Sequence, residues 1–285
     1  MVETSSPVLI GQLTDTHVVA DADTDEHYVD NNARLAAAIA SIAVEAPGLD
    51  AVLMTGDLTD TSHPDAFATL TELLGSIDVP VLALPGNHDT REATRRALPD
   101  AGWIDAEHLS WVNEIRGVRL IGLDSTRPGY HGAEFDDERA VFLDATLAEP
   151  HGGTTLLAMH HPPFATGIDW MDEAGFVGLD RFTEVLAAHP GAVDKIVCGH
   201  LHRSITAVVA GVPAQVGIST VQHVALDLAP DSEPSLVLDP VGYQIHRIVG
   251  GRGVERVVTH TRYIETRAAS FVPDWAGDYD PTQPS

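Results

Sequence analysis

Five short segments of the chain bring histidine, carboxylate or amide side chains close together in sequence. These segments are Asp15-Thr16-His17, Gly56-Asp57, Gly86-Asn87-His88-Asp89, His160-His161-Pro162-Pro163 and Gly199-His200-Leu201-His202. Each one directly follows a short apolar run that is typical of a buried strand. Because sites in α/β sheets form at the carboxyl ends of the strands, we expect these polar side chains to meet at one edge of the fold.

The side chains of these segments suit metal coordination. Imidazole nitrogens and hard oxygens are present without any thiolate, and the seven candidate ligands are Asp15, His17, Asp57, Asn87, His160, His200 and His202. Seven donors exceed the four of a closed zinc site, so two adjacent metal ions are the simplest interpretation. A carboxylate has two oxygens to share, and we expect Asp57 to bridge the pair. Iron, manganese, zinc and cobalt all accept such donors.

A pair of metal ions would also explain how an acidic chain binds an anion. The 285 residues include 42 Asp and Glu against 16 Lys and Arg, a formal net charge of −26. Two ions about 3.5–4 Å apart stabilise the attacking and leaving oxygens of an in-line displacement, and they make hydroxide from water at neutral pH. They also supply the positive charge that the chain lacks, so we expect the substrate to be a phosphate ester.

The same net charge restricts the partners. It would repel a long nucleic acid and an anionic membrane surface, so we predict a small substrate, no long nucleic acid and no membrane. The single cysteine, Cys198, allows no intramolecular disulfide. The first residues lack the basic start and long apolar stretch of a secretory signal, and no apolar run reaches the length of a membrane span. We therefore expect a cytoplasmic protein.

Apolar runs and stretches with helical spacing alternate along most of the chain. The predicted strands are Pro7–Leu13, Asp50–Thr55, Val79–Leu84, Val118–Leu123, Thr154–Met159 and Lys195–Cys198. The predicted helices are Asn31–Glu45, Pro64–Leu74, Arg91–Leu98, Asp136–Leu147 and Arg181–His189. Such alternation with continuous apolar strands is typical of a layered α/β domain.

The pattern changes after about residue 204. Ser204–Arg262 is rich in valine, is interrupted by glycine and lacks helical spacing, so it predicts antiparallel hairpins that form a second sheet packed on the first. Arg267–Ser285 is a tail rich in proline, aspartate and serine that we expect to pack loosely, with contact to a partner as the alternative. The sequence predicts one domain over residues 1–266 and a tail over residues 267–285.

In this order, the five segments resemble the motifs of the calcineurin-like metallophosphoesterase superfamily, over about Val8–His202. Leu123-Asp124-Ser125, the loop Pro128–Gly132 and Met159–Pro163 make the chain most similar to the class III cyclic-nucleotide phosphodiesterases and the related glycerophosphodiesterases. The resemblance implies an α/β fold of four αββα layers, in which two mixed β-sheets are flanked by helices, and it implies a homodimer. Purple acid phosphatases fit less well, since Asp60 stands where they have a tyrosine ligand.

The resemblance also assigns roles to residues. One metal ion would be bound by Asp15, His17, Asp57 and His202, and the other by Asp57, Asn87, His160 and His200. His88 would lie beside the metals without binding them, and Asp89 would orient it. His88 would act either as a general acid that protonates the leaving oxygen or as a hydrogen-bond donor to the phosphate. Asn87, His88 and His200 would contact the substrate, whereas His161 would support the site without ligation.

These residues together predict a phosphodiesterase. A hydroxide bridging the two metal ions would attack phosphorus in line, and the resemblance favours 3′,5′-cyclic AMP as the substrate, with 5′-AMP as the product. Glycerophosphodiesters and 2′,3′-cyclic nucleotides are the main alternatives, since ligands shared by the whole superfamily do not select a diester. A non-catalytic scaffold that binds metals and a nucleotide is a further alternative. Missing ligands would favour that scaffold, and none of the motif residues is missing.

Overall fold

The computed structural model describes residues 6–20, 30–104, 106–230, 233–249 and 256–264. Its helices are Asn31–Glu45 (α1), Pro64–Leu74 (α2), Arg91–Ala97 (α3), Asp137–Ala148 (α4), Asp169–Asp172 (α5) and Leu179–Ala188 (α6). Its strands are Val8–Leu13 (β1), Ala51–Thr55 (β2), Val81–Leu84 (β3), Trp111–Ile115 (β4), Val118–Leu123 (β5), Ala133–Glu134 (β6), Thr155–Met159 (β7), Phe176–Val177 (β8), Lys195–Cys198 (β9), Ile205–Val209 (β10), Val212–Val216 (β11), His223–Val224 (β12), Leu236–Val237 (β13), Gly242–Ile248 (β14) and Val257–Tyr263 (β15). None of these helices is long and apolar enough to cross a membrane. The predicted tail over residues 267–285 lies outside the described residues.

Two mixed sheets form the body of the fold. The first sheet has the strand order β15-β14-β1-β2-β3, and the second has the order β10-β11-β9-β7-β5-β4. In the first sheet β1, β2 and β3 run parallel, β14 pairs antiparallel with β1, and β15 pairs antiparallel with β14. In the second sheet β5, β7, β9 and β11 run parallel between the antiparallel edge strands β4 and β10. The expectation of two mixed sheets is confirmed.

Three apolar cores separate four layers. On β2, Val52 packs with residues of α1 and α2, while its neighbour Leu53 faces the second sheet. On β7, Leu157 packs with residues of α4 and α6, while its neighbour Leu156 faces the first sheet. Both faces of each sheet are therefore buried, which is why the strands are continuous apolar runs in the sequence. The four αββα layers that the resemblance implies are confirmed.

The prediction that the C-terminal hairpins form a second sheet by themselves is wrong. Strands β10 and β11 extend the second sheet beside β9, but β14 and β15 extend the first sheet beside β1. The earlier strands are also divided, since β1–β3 belong to the first sheet and β5, β7 and β9 to the second. Unpaired strand edges need hydrogen-bond partners, and these two hairpins each extend the edge of a different sheet, whereas β12 and β13 pair only with each other. A strand pattern reveals the hairpins but not the edges that they join.

The sequence pattern also missed the edge strand β4. Of its five residues only Trp111 is fully buried, so the segment carries little apolar signal. The indole Nε1–H of Trp111 donates to the backbone carbonyl of Ala83 at 2.7 Å. This strand therefore links the second sheet to β3 of the first.

The carboxyl ends of five parallel strands carry the polar segments. Strands β1, β2 and β3 of the first sheet end shortly before Asp15, Asp57 and Asn87. Strands β7 and β9 of the second sheet end just before His160 and His200. The candidate site is therefore built from both sheets, and its geometry depends on how the two sheets are held together.

A row of hydrogen-bonded polar side chains crosses the core between the sheets. Lys195 on β9 donates to Thr259 Oγ1 on β15 at 2.5 Å and to Gln215 Oε1 on β11 at 2.6 Å. Thr259 Oγ1 lies 2.8 Å from His246 Nδ1, and His246 Nε2 lies 3.0 Å from Gln12 Oε1. We name these five residues the inter-sheet polar row. Because buried polar groups favour arrangements in which they keep their partners, the row helps to specify how the sheets face each other.

We expect His246 to make the fold sensitive to acid. Burial and the charge of Lys195 lower the pKa of His246 from 6.5 to about 3. The unfolded chain therefore takes up this proton near pH 6.5 while the native protein does not, so stability falls below pH 6.5 by about 1.4 kcal/mol per pH unit. His246→Gln keeps a donor for Gln12 and removes the titration. Urea unfolding of the metal-free protein between pH 7.5 and 4.5 should show a shallower loss of stability in this variant.

The exposed His260 on β15 provides the control for this measurement. His260→Gln should lose stability with falling pH as steeply as the wild-type protein. If His246→Gln follows the same pH profile as His260→Gln, the assignment of a neutral, buried His246 is contradicted.

Candidate dinuclear metal centre

Loops with an unusual backbone conformation carry the candidate ligands. Eight non-glycine residues in the described part of the chain have a positive φ, and five of them are candidate ligands: Asp15 (51°), His17 (41°), Asp57 (46°), His200 (76°) and His202 (55°). Such residues cluster at functional sites, where the surrounding structure enforces the conformation. Here the loops after β1 and β2 hold each other, because the Asp15 N–H donates to Gly56 O and the His17 N–H donates to Asp57 O, both at 3.0 Å.

The first cluster consists of Asp15, His17, Asp57 and His202, which are buried and whose candidate ligand atoms all lie within 4.8 Å of one another. His17 Nε2 lies 3.6 Å from Asp57 Oδ2 and 3.1 Å from His202 Nε2. His202 Nε2 lies 3.7 Å from Asp15 Oδ1. Asp15 Oδ2 is buried without a hydrogen-bond partner among the described residues. Since a buried carboxylate oxygen needs a partner, this arrangement fits a cation.

The far ring nitrogens of this cluster are held by the protein. His17 Nδ1 lies 3.1 Å from Asp60 Oδ1, and His202 Nδ1 donates to the backbone carbonyl of Gln222 at 2.7 Å. Each ring therefore presents Nε2 to the centre, as metal-binding histidines do when a carboxylate or a carbonyl fixes the other nitrogen. Sequence reasoning missed Asp60 as a functional residue, and its position three residues after Asp57 is the signal that identifies it.

The second cluster contains Asn87, His160 and His200, and it shares Asp57 with the first. His160 Nε2 lies 3.4 Å from Asp57 Oδ2 and 3.1 Å from Asn87 Oδ1. The opposite nitrogen of His160, Nδ1, donates to the backbone carbonyl of Thr55 at 2.8 Å. The rings of His160 and His200 pack edge to face, with centroids 5.1 Å apart. The structure therefore places Asn87, His160 and His200 beside the first cluster, and Asp57 contacts members of both clusters.

His161 lies beside this cluster, but both of its ring nitrogens have other partners. Its Nε2 donates to the backbone carbonyl of His131 at 3.0 Å, and its Nδ1 lies 2.9 Å from the hydroxyl of Ser125. Burial and the charge of His160 lower the pKa of His161 to about 3, so the ring stays neutral. The ligand atoms of His161 also lie within 4.8 Å of those of His160 and His200, so the role of His161 as a support that binds no metal stays a prediction.

The charges inside the centre are coupled through Asp57. Burial acts to raise the pKa of Asp57, but the rings of His160 and His17 hold it well below its usual range. Burial acts to lower the pKa of His160, but Asp57 and Asp15 raise it to about 9. Burial and the neighbouring histidine charges keep the pKa of His200 well below its usual range. The metal-free centre therefore offers an ionised Asp57 and a neutral His200, both in the form that coordinates a cation, whereas His160 would release its proton on binding one.

His88 and Asp89 have separate partners, which corrects the prediction that Asp89 orients His88. The His88 ring lines the site cavity, and its Nδ1 donates to the backbone carbonyl of Asp60 at 2.8 Å. The Asp89 carboxylate accepts hydrogen bonds of 2.8–3.0 Å from the backbone N–H groups of Leu58, Thr59 and Gly86. Through these hydrogen bonds Asp89 joins the loop after β2 to the loop after β3. His88 is oriented instead by the backbone carbonyl of Asp60.

A cavity of about 530 Å³ opens at this centre. Its lining includes the three residues predicted to contact the substrate, Asn87, His88 and His200. The apolar part of the lining comes from Trp170 and Met171 of α5 and from Val224 and Leu236 of the paired strands β12 and β13. A few polar groups set in an apolar lining are typical of small-ligand sites. Sequence reasoning missed the apolar part, because these elements are too short to show a periodic pattern.

Comparisons with known proteins show the family to which the chain belongs. The family model described as calcineurin-like phosphoesterase matches residues 8–204, which include all seven candidate ligands. A probable glycerophosphodiester phosphodiesterase of Arcobacter nitrofigilis is 31% identical over 259 residues, which cover 90% of this chain and 93% of that protein. A probable cyclic nucleotide phosphodiesterase of Rhodococcus erythropolis is 36% identical over 219 residues, which cover 73% of this chain and 69% of that protein. The fold is similar to that of a dimetal phosphatase from Danio rerio, with a TM-score of 0.60, 15% identity, and coverage of 90% of this chain and 99% of the other.

We expect the centre to tolerate no added methyl group at Gly86. A Cβ at this position would overlap the backbone nitrogen and the carboxylate of Asp57. Gly86→Ala should therefore displace the carboxylate and destabilise the protein by about 1–3 kcal/mol, as measured by urea unfolding. Gly48→Ala is the matched control, because a Cβ there meets nothing within 4 Å. Neither glycine has a positive φ, so the comparison tests space alone. Equal stability of the two variants would contradict the close packing.

Proposed function

Since this chain belongs to the calcineurin-like phosphoesterase family, we propose that it is a metal-dependent phosphodiesterase that hydrolyses 3′,5′-cyclic AMP to 5′-AMP. The observation that carries the proposal is the position of Asp57 between two groups of nitrogen and oxygen donors that comprise six further residues, at a cavity of small-ligand size. The similarity to a protein named a probable cyclic nucleotide phosphodiesterase supports this substrate. The homodimer and the cytoplasmic location expected from the sequence are part of the same proposal.

We assign one metal ion to each cluster. One would be held by Asp15, His17, Asp57 and His202, and the other by Asp57, Asn87, His160 and His200. When bound, the ions would offset negative charge on the phosphoryl oxygens and make water a stronger nucleophile. The unpartnered Asp15 Oδ2 supports this assignment, as do the hydrogen bonds that hold the far ring nitrogens of His17, His160 and His202. The donor types suit iron, manganese, zinc or cobalt.

Asn87 has an orientation that would serve both a metal and a substrate. Its Oδ1 lies 3.1 Å from His160 Nε2, on the side of the second cluster. Its Nδ2 lies 3.3 Å from Nδ1 of His131, which also lines the cavity. The amide oxygen would therefore bind the metal while an amide N–H donates to a phosphoryl oxygen of the diester.

The apolar part of the cavity supports a substrate with a flat organic group. Trp170 and Met171 offer aromatic and polarizable surface, on which a nucleobase would pack. A glycerol-based diester has no comparable ring. Hydrolysis of glycerophosphodiesters is nevertheless the second candidate function, because the similarity to the probable glycerophosphodiester phosphodiesterase extends over 90% of this chain.

Turnover of metal-stripped protein refilled with Mn²⁺ tests the proposal. The substrates are 3′,5′-cyclic AMP, 2′,3′-cyclic AMP, glycerophosphocholine and bis(4-nitrophenyl) phosphate. Cleavage of 3′,5′-cyclic AMP at a rate near that of the activated diester would support the proposed substrate. Cleavage of the other diesters with 3′,5′-cyclic AMP nearly untouched would favour the second candidate. No turnover of any substrate by protein that holds two metal ions would contradict both and would favour a non-catalytic scaffold.

Asp57→Ala should abolish turnover on every substrate, because it removes the only carboxylate shared by the two clusters in the described part of the chain. Metal analysis of the purified variant should find fewer than two ions per chain. Asp100→Ala is the control, since Asp100 is exposed and should affect neither quantity. Two bound ions and normal activity in Asp57→Ala would contradict the bridging role.

His88 should matter most for substrates with a poor leaving group. Its Nδ1 is committed to the backbone carbonyl of Asp60, so a proton for the leaving oxygen would come from Nε2. His88→Ala should lower kcat on 3′,5′-cyclic AMP by about 10²–10⁴-fold and should affect bis(4-nitrophenyl) phosphate much less, because nitrophenolate leaves without a proton. Equal losses on both substrates would assign His88 to phosphate binding instead. The exposed His260→Ala should change neither rate.

A further inference from the structure

One buried glutamine joins the two sheets close to the candidate metal centre. Gln12, on β1, is 1% exposed. Its Nε2 donates to Thr55 Oγ1 on β2 and to the backbone carbonyl of Cys198 on β9, both at 2.9 Å. Thr55 lies two residues before Asp57, and Cys198 lies two residues before His200. A single side-chain amide therefore ties together two ligand-bearing strands from different sheets.

The inter-sheet polar row determines which way this amide points. The Lys195 ammonium can only donate, so Thr259 Oγ1 accepts from it and donates its own proton to His246 Nδ1. His246 then carries its proton on Nε2 and donates it to Gln12 Oε1 at 3.0 Å. With its oxygen engaged in this way, Gln12 must turn its NH₂ group to the two strands. In the series Lys195, Thr259, His246 and Gln12, each residue therefore donates to the next, and Gln12 donates to the two ligand-bearing strands.

Thr55 extends this support to a ligand of the second sheet. Its side chain accepts from Gln12, and its backbone carbonyl accepts from His160 Nδ1 at 2.8 Å. Gly217 lies close to the same amide, because a Cβ added there would come within 3.2 Å of Gln12 Nε2 and closer still to Gln244. A substitution of Gln12 would therefore alter the surroundings of His160 as well as the ends of β2 and β9.

We propose that Gln12, oriented by His246, is a positioning residue that sets the separation between the candidate ligands of the first sheet and those of the second. The inference rests on the proposed dinuclear function. Apolar contacts between the sheets have no preferred direction, whereas two hydrogen bonds from one amide fix both distance and register. Without the amide, the ends of β2 and β9 lose the donor that they share.

Gln12→Met tests this role, because methionine keeps the length of the side chain and removes its hydrogen bonds. We expect binding of the second Mn²⁺ ion to weaken by about 10–100-fold and kcat to fall with little change in KM. We also expect a changed exchange coupling between the two bound Mn²⁺ ions in the electron paramagnetic resonance spectrum. Gln215→Met is the matched control, since it removes another buried amide of the same row, one that contacts Lys195 at 2.6 Å rather than Thr55 or Cys198.

Two variants of His246 test the same role without altering Gln12. His246→Gln still offers a donor to Gln12 Oε1 and should keep the coupled spectrum, whereas His246→Leu should reproduce Gln12→Met. Lower thermal stability alone, with the second Mn²⁺ affinity and the spectrum unchanged in Gln12→Met, would overturn the inference. Equal spectral changes in Gln215→Met would also overturn it. If the wild-type protein itself binds fewer than two Mn²⁺ ions, the proposed dinuclear function fails instead.

Discussion

Asp57 is a carboxylate that is 2% exposed, and a buried carboxylate stays ionised only with positive charge around it. Here that charge is arranged around one oxygen, which lies 3.6 Å from His17 Nε2 and 3.4 Å from His160 Nε2. The two histidines belong to different sheets, so the carboxyl edges of both sheets must meet at Asp57. The strained loops, the close-packed glycines and the hydrogen bonds between the sheets all serve this requirement.

The convergence of ligands has a structural cost that the surroundings offset. Five ligands in the left-handed backbone region cost on the order of 1–3 kcal/mol each. Backbone hydrogen bonds between the loops hold these conformations, and Asp89 ties together the loops after β2 and β3. The three apolar cores of the sandwich lie behind these loops and supply the stability that the site edge does not. The apolar residues within the strands therefore stabilise the fold, whereas the candidate ligands lie just beyond the carboxyl ends of the same strands.

Charge explains why recognition in this protein has to be local. A chain with a net charge of −26 does not attract an anion over long distances, so a phosphodiester would be held by contacts inside the cavity. Five candidate ligands line this cavity and would face the phosphate of such a substrate, and the apolar lining around Trp170 would face its organic group. The cavity of about 530 Å³ matches a small diester in size.

The sequence by itself determined the candidate ligands and the main strands and helices, because both are local patterns: metal-binding residue types directly after apolar runs, and runs long enough to show a period. His160 and Asp57 are about 100 residues apart in the sequence, and their proximity was predicted correctly because sites in α/β folds form at the carboxyl ends of the strands. Only the tertiary structure decided that the hairpins divide between the sheets, that Asp60 orients His88, and that Trp170 lines the cavity. These are contacts to strand edges, backbone carbonyls and short elements far apart along the chain, and no local pattern of side chains encodes them.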